Sequence, residues 1–446
     1  FTAGLATTGM MSEPRLSSSR ILAYGVPGLP LALLGLPLAV YLPAYYTQVL
    51  GLSLLAMGGA ILIARLFDIA SDLAIGLMSD YLRQRGLSRR LLMALGVPIL
   101  ILGIQQLFVA TPGAGFGYLL FWNLVTYAGW TLIAVPYFAW GAELSSDRHM
   151  RTRLAGSREG FTITGIGIAI VLPTLLGMAD QPEGALSVIS QTMWWMLPLA
   201  VLTALALVPE RVTPVTGTAR AGAAGISGLF SNRPMRLLVV AYLLSSAANA
   251  LPAALFLFYV DQVLQAGTSI GIFLCLYFLA GMAALPGWIY FSRRYGKARV
   301  WRFSMLLACA AFFWVPWLGA GDVIAYGLIC LVTGVALGAD LALPASMQAD
   351  MVDIDTQQSG RNRAGLLFGL WGLTTKLAAA LGIGIAFGVL AMAGFDPRSS
   401  NNDEVLLSLA LLYGLAPVLL KVAAIALTRG FASSRTFTRV RAETVG

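Results

Sequence analysis

Charge is what this sequence lacks. Asp, Glu, Lys and Arg make up 11% of its 446 residues, against about a quarter in an average soluble domain. Histidine is almost absent: the single one, His149, lies in a polar segment with no metal-ligand partner at useful spacing. The three cysteines, Cys275, Cys309 and Cys330, all fall in apolar stretches. They read as small buried hydrophobes, not as disulfide partners or metal ligands. No glycine-rich nucleotide motif, metal constellation or nucleophile elbow occurs, so no enzyme class is indicated. Phe1 to Arg20 is polar and rich in Ser and Thr, without the charged start and apolar centre of a cleavable signal peptide. With Met10 and Met11 as alternative starts, residues 1–20 are expected to be a disordered tail outside the fold.

What is present is apolar: 58% of positions, with a mean hydropathy of +0.80. That composition describes an all-α polytopic membrane protein. Windows of about 18–25 apolar residues, the length that crosses a bilayer, can be placed at 22–47, 53–79, 91–110, 117–143, 159–178 and 191–208. Six more follow at 237–260, 269–291, 301–319, 323–346, 364–393 and 405–428. Twelve transmembrane helices are therefore expected, in two six-helix bundles, 21–208 and 237–428. A central loop (209–236) joins them and a tail (429–446) follows.

The net charge of +9 does not indicate nucleic acid, because the basic residues sit in alternate short loops and not on one soluble face. Arg83, Arg85, Arg89 and Arg90, Arg148 to Arg153, Arg293 to Arg302, Arg361 and Arg363 all fall on one side, with the central loop and the tail. The opposite loops carry one basic residue, Arg398. Both termini are thus expected to be cytoplasmic. The protein is expected to be a monomer in a bacterial inner membrane, with the lipid bilayer and a small-molecule substrate as partners.

The two halves repeat one another. Tyr45-Tyr46-Thr47-Gln48-Val49-Leu50 closes span one, and Tyr259-Val260-Asp261-Gln262-Val263-Leu264 closes span seven. Arg83, Gly86 and Arg89 recur as Arg293, Gly296 and Arg299, each 210 positions later. A duplicated unit around a central loop is the plan of a transporter, with its site near the midplane between the halves.

Within span two stand Arg65, Asp68 and Asp72, spaced i, i+3, i+7 and so on one helix face. A charge at bilayer depth costs at least about 2.5 kcal/mol and usually marks an ion or substrate path. Two carboxylates one turn apart repel, which favours capture of a proton or a monovalent cation; Arg65 or Lys376 opposes this. Lys376 lies in the apolar stretch 366–381, where an unpaired ammonium is costly. A salt bridge from Lys376 to Asp68 or Asp72 would relieve it and could break when cation or substrate arrives. The alternative is a purely structural ion-pair cluster. Asp340, in span ten, is a further buried acid that can line the cavity or pair helices; Lys421, in span twelve, can reach toward the cytoplasmic side and is assigned no role. The glycines of spans five and eleven (Gly165, Gly167, Gly369, Gly372, Gly382, Gly384) read as close-packing positions. Trp194, Trp195 and Tyr45 read as interfacial belts.

The stretch Gly76-Leu-Met-Ser-Asp80-Tyr-Leu-Arg83-Gln-Arg-Gly86-Leu-Ser-Arg89-Arg90 resembles the signature loop of the major facilitator superfamily. Asp80 with Arg83 and Arg89 is read as a cytoplasmic charge latch. Three further segments accompany the stripe of span two: Ala349-Asp350-Met-Val-Asp353, Gly360-Arg361-Asn-Arg363-Ala-Gly365 and Thr375-Lys376-Leu. The set in this order resembles the glycoside-pentoside-hexuronide:cation symporter family, melibiose permease-like, from Tyr24 to span twelve. Asp350 and Asp353 near Arg361 and Arg363 are read as a second cytoplasmic gate. The resemblance implies that Asp68 and Asp72 form the cation site and that Thr131 adds an oxygen. It also implies that Arg158 contacts substrate, that Phe138 takes the place of the sugar-stacking aromatic, and that Lys376 pairs with the span-two acids. Two acidic positions of that pattern are Ala32 and Ala134 here. Their loss weakens a Na⁺ cage, which needs several hard oxygen ligands, and favours H⁺; it also weakens binding of sugar hydroxyls.

The implied function is secondary active transport: symport of a sugar-like solute with H⁺ or Na⁺ by alternating access, without any cofactor. A carrier of amphiphiles such as lysolipids, in the same fold, is the alternative. A non-transporting membrane receptor would leave the buried charges without a purpose.

Overall fold

The computed structural model describes residues 16–144, 148–210, 233–359 and 364–432. These form twelve long helical segments. They are α1 (Ser18–Val49), α2 (Leu54–Gln84), α3 (Arg90–Phe108), α4 (Phe116–Glu143), α5 (Arg148–Leu175) and α6 (Pro182–Leu207). The second set is α7 (Arg233–Val263), α8 (Ile270–Tyr295), α9 (Lys297–Phe312), α10 (Val323–Ser359), α11 (Ala364–Met392) and α12 (Asp403–Ala432). Among the described residues, eleven helices are long and apolar enough to cross a membrane. The exception is α5, whose first turns carry Arg148, Arg151, Arg153, Arg158 and Glu159. Helix α7 begins at Arg233, inside the stretch expected to be central loop. The remainder of that loop, 211–232, lies outside the described residues.

Large apolar side chains face outward along the helices, including Leu175, Ile324, Met392 and Leu419, as a lipid solvent allows and water does not. Trp194 and Trp195 are exposed as well, whereas Tyr45 is buried and donates to the Ala110 carbonyl at 3.1 Å. Tyr45 therefore anchors α1 to the end of α3 and is not a belt residue.

Proline shapes α1. Pro27, Pro30, Pro37 and Pro43 each remove a backbone donor, and the segment divides into α-helical pieces and two π-helical ones, Pro37–Tyr41 and Tyr45–Val49. The repeated sequence at the end of α7 does the same: Tyr259–Val263 is π-helical. Tyr259 donates to the Val315 carbonyl at 2.9 Å just beyond α9, as Tyr45 does beyond α3. The paired loop glycines match too, Gly86 at φ 76° and Gly296 at φ 89°. The matched segments thus share backbone conformation at these two places.

Helix α3 packs along α4, and α8 along α10. Gly129 makes the first approach possible: a Cβ there would stand 2.5 Å from the Leu100 nitrogen. Of the other expected close-packing glycines, Gly165 and Gly382 do face neighbouring backbone or side chains, while Gly167, Gly372 and Gly384 have open space; Gly369 lies outside the described side chains. Between the two sets of six, α2 packs on α11, α5 on α8 and α1 on α7. One apolar core extends through both sets; a second surrounds Trp301 in the later set alone.

Candidate functional site

The charged face of α2 points at α4 and α11. Asp68 is 1% exposed and Asp72 33%, so the first must be paired inside the protein and the second reaches open space. Lys376, from α11, places its ammonium 2.9 Å from Asp68 and 2.5 Å from Asp72. Arg65 adds a longer contact to Asp68 at 3.7 Å, one turn along the same helix. The Thr131 hydroxyl of α4 lies 3.1 Å from Asp72 and 3.4 Å from Asp68, and shares its one proton between them. Two cations, two carboxylates and one hydroxyl therefore meet where α2, α4 and α11 converge.

Aromatic rings close this cluster. The Arg65 guanidinium lies over Tyr127 at 4.9 Å, and the Lys376 ammonium faces Trp130 at 5.7 Å. Neither ring figures among the residues picked out from sequence. Their signal is positional, since Tyr127 and Trp130 precede Thr131 by one turn and by one residue on α4.

Arg158 and Phe138 meet one another but do not join the cluster. The guanidinium stacks on the Phe138 ring at 4.9 Å and pairs with Glu159 at 2.7 Å. Tyr24, packed against Tyr137 with ring centres 4.9 Å apart, continues this wall. Ala134 is fully buried and brings no oxygen; Ala32 is half-buried.

Asp340 is placed differently from a cavity wall. It is buried inside the second set of helices and accepts from Trp301 Nε1 at 2.7 Å, Asn249 Nδ2 at 2.9 Å and Lys421 Nζ at 2.8 Å, with Ser245 Oγ at 3.4 Å. Lys421, 2% exposed, does not extend toward the helix end but completes this pair. Four donors on one carboxylate tie α7, α9, α10 and α12 together. Of the two roles expected for Asp340, helix pairing is the one these contacts support.

At the end bearing the arginine-rich loops, Asp350 pairs with Lys297 at 2.6 Å, joining α10 to the start of α9. Arg89 donates to the Ser79 hydroxyl at 2.5 Å. Arg90 lies over Trp140 at 5.0 Å and donates to the Leu205 and Val208 carbonyls of α6. Asp80, Arg83 and Asp353 lie outside the described side chains, and Arg361 and Arg363 outside the described residues.

The family described as MFS/sugar transport protein matches residues 23–432. The glucuronide carrier protein homolog of Escherichia coli (strain K12) is 23% identical over 393 residues, covering 85% of this chain and 84% of its own. The sodium-dependent lysophosphatidylcholine symporter 1-A of Danio rerio is 21% identical over 438 residues, covering 89% and 82%. Among solved structures, a bacterial homolog of the human lysosomal transporter Spinster, in an inward-facing and unoccupied conformation, superposes with a TM-score of 0.69 at 13% identity, over 95% of this chain and 98% of that one. At that identity the likeness is one of fold.

Proposed function

This chain belongs to the MFS/sugar transport protein family, and we propose that it is a symporter coupling a glycoside-like solute to a monovalent cation by alternating access. The observation that carries the reading is Lys376 of the second half seated between Asp68 and Asp72 of the first. The ammonium occupies the position that a coupling cation would take, with Asp68, Asp72 and Thr131 as its oxygen donors. Cation and Lys376 then compete for the same carboxylates, so cation binding loosens a bond between the halves. In this reading all twelve helices span the membrane, the two six-helix bundles rock against each other, and the arginine-rich end faces the cytoplasm.

Three oxygen-bearing side chains, with Ala134 in place of a fourth, make a thin cage for Na⁺. H⁺ is the proposed coupling ion, held on the carboxylate pair. Arg158 and Phe138, stacked and partly open, are proposed to contact the solute.

A second reading, carriage of an amphiphile, has its own observation. An apolar groove of about 310 Å³ between α2 and α11, lined by Leu55, Leu62, Leu381 and Ile385, begins about one turn from Arg65 and Lys376. An alkyl chain fits there beside a head group at the charged cluster.

Uptake by the purified chain in proteoliposomes, under imposed H⁺ or Na⁺ gradients and with glycoside and lysolipid panels, separates these readings. Gradient-driven accumulation is expected and is lost in Asp72→Asn; accumulation that persists in both Asp68→Asn and Asp72→Asn rules out coupling at this site.

A further inference from the structure

The loop between α11 and α12, both of the second half, reaches across to α1 of the first. Its Arg398, exposed and the lone basic residue of the loops at this end, donates through Nε to the Gln48 carbonyl at 3.2 Å and through Nη2 to the Val49 carbonyl at 3.0 Å. Those carbonyls end the π-helical piece of α1, where a helix leaves its last acceptors unsatisfied and a cation is favoured. The space around the guanidinium is closed by design of the backbone: Gly51 has φ 77°, and a Cβ on it would lie 2.1 Å from the Arg398 side chain.

The same loop is braced on its own side by the matching residue of the repeat. Gln262, at the end of α7, donates to the Pro397 carbonyl at 3.2 Å and accepts from Asn401 at 2.5 Å. Asn401 in turn accepts from the Asp396 amide at 2.8 Å. Gln48 and Gln262 are equivalent positions, yet they are held in different ways: Gln262 by its side chain within its own half, Gln48 by its main chain from across the interface. The loop is therefore fixed to one half and hooked onto the other.

We propose that Arg398 is a latch that keeps the non-cytoplasmic end shut, and that release of its two bonds to α1 opens the path to that side. The proposal rests on the alternating-access reading above and adds to it a residue 22 positions beyond Lys376 in the chain. Lys376 acts at the cation site, whereas Arg398 acts at the mouth and touches neither cation nor solute.

The test uses the full chain in nanodiscs, with spin labels at Ser53 and Ser400 in a Cys275→Ala, Cys309→Ala, Cys330→Ala background. Arg398→Ala is expected to raise the share of long distances about fivefold to tenfold, the change due to one charge-assisted hydrogen-bonded group. Arg398→Lys, which keeps the charge and loses the fork, is expected to fall between. In the chain with its cysteines intact, amide exchange over residues 45–52 speeds up in Arg398→Ala. Superposable distance distributions and unchanged exchange in Arg398→Ala overturn the latch. Because distances are read without solute, a latch that opens in a protein showing no uptake refutes the transport reading alone, and uptake without any change in distance refutes the latch alone.

Discussion

Lys376 and Asp72 stand 2.5 Å apart although 304 positions separate them in the chain. They belong to opposite halves, and Asp72 is the more open of the two acids that Lys376 holds. The bond joins the two sets of helices, so under the proposed alternating access an ion that competes for Asp72 also acts on the interface between them. Asp68, sunk behind it and backed by Arg65, is the fixed member of the pair.

Asp68→Asn and Asp72→Asn are therefore expected to differ. The first leaves Arg65 and Lys376 short of a buried counter-charge and lowers stability by about 3 kcal/mol; the second costs less because the site is partly open. Thermal unfolding in detergent reads the difference, and equal losses would contradict the assignment of depth.

Thr131→Val keeps the shape and removes the hydroxyl. The hydroxyl donates to the ionised carboxylates, so in the proposed H⁺ symport its loss is expected to raise the pair's affinity for H⁺ about tenfold, the value of one hydrogen bond to a charged site, while Thr131→Ser stays near the parent. Cation dependence of uptake checks it; an unchanged half-saturation in Thr131→Val removes the hydroxyl from the site.

The Asp340–Lys421 pair is expected to be structural. Asp340→Leu alone strands the Lys421 ammonium and costs about 3–5 kcal/mol, whereas Asp340→Leu with Lys421→Met recovers most of it. Solute affinity of the double variant should match the parent. A folded double variant that no longer binds solute would return Asp340 to the cavity wall.

Gly51→Ala and Gly394→Ala impose the same backbone strain, since both glycines have φ 77°, at about 1–2 kcal/mol each. A Cβ at 51 also strikes Arg398, whereas a Cβ at 394 meets nothing within 4 Å. Both variants should lose comparable stability, but only Gly51→Ala should widen the Ser53–Ser400 distance. Widening in both would assign the effect to strain.

Acid should loosen the same loop. The Arg398 amide, the Ser399 hydroxyl and the Arg398 charge hold the Asp396 carboxyl below its ordinary value of 3.8. A depressed value means that the brace is fully present above the ordinary value and is lost as pH falls through the lowered one. The Ser53–Ser400 distance should stay constant from about pH 8 to pH 5 and lengthen only below about pH 4; lengthening near neutrality would point to another group.

Much of the site was legible in the sequence because its parts obey short rules. The i, i+3, i+7 spacing puts Arg65, Asp68 and Asp72 on one face, and the cost of a lone ammonium in an apolar helix demands a partner for Lys376. The doubled motif at Gln48 and Gln262 marks the repeat. Partner choice over long separations follows no such spacing. Nothing local to Lys421 shows that Asp340, 81 positions earlier, waits beside it. Tyr45 looks interfacial until the fold brings the Ala110 carbonyl, just beyond α3, within reach of its hydroxyl. Arg398 was visible as an exception to the charge bias, and only the fold gives it something to hold.

The cluster of Arg65, Lys376, Asp68 and Asp72 sums to zero, two positive charges against two negative. Under the proposed symport, the empty carrier is then blind to the membrane voltage, and the carrier loaded with one cation and a neutral solute would move a single charge. A potential of 100 mV acts on that loaded step with about 2.3 kcal/mol at full traverse and leaves the return untouched. In that symport the voltage would set the pace of the loaded step, and the protein alone the pace of the empty return.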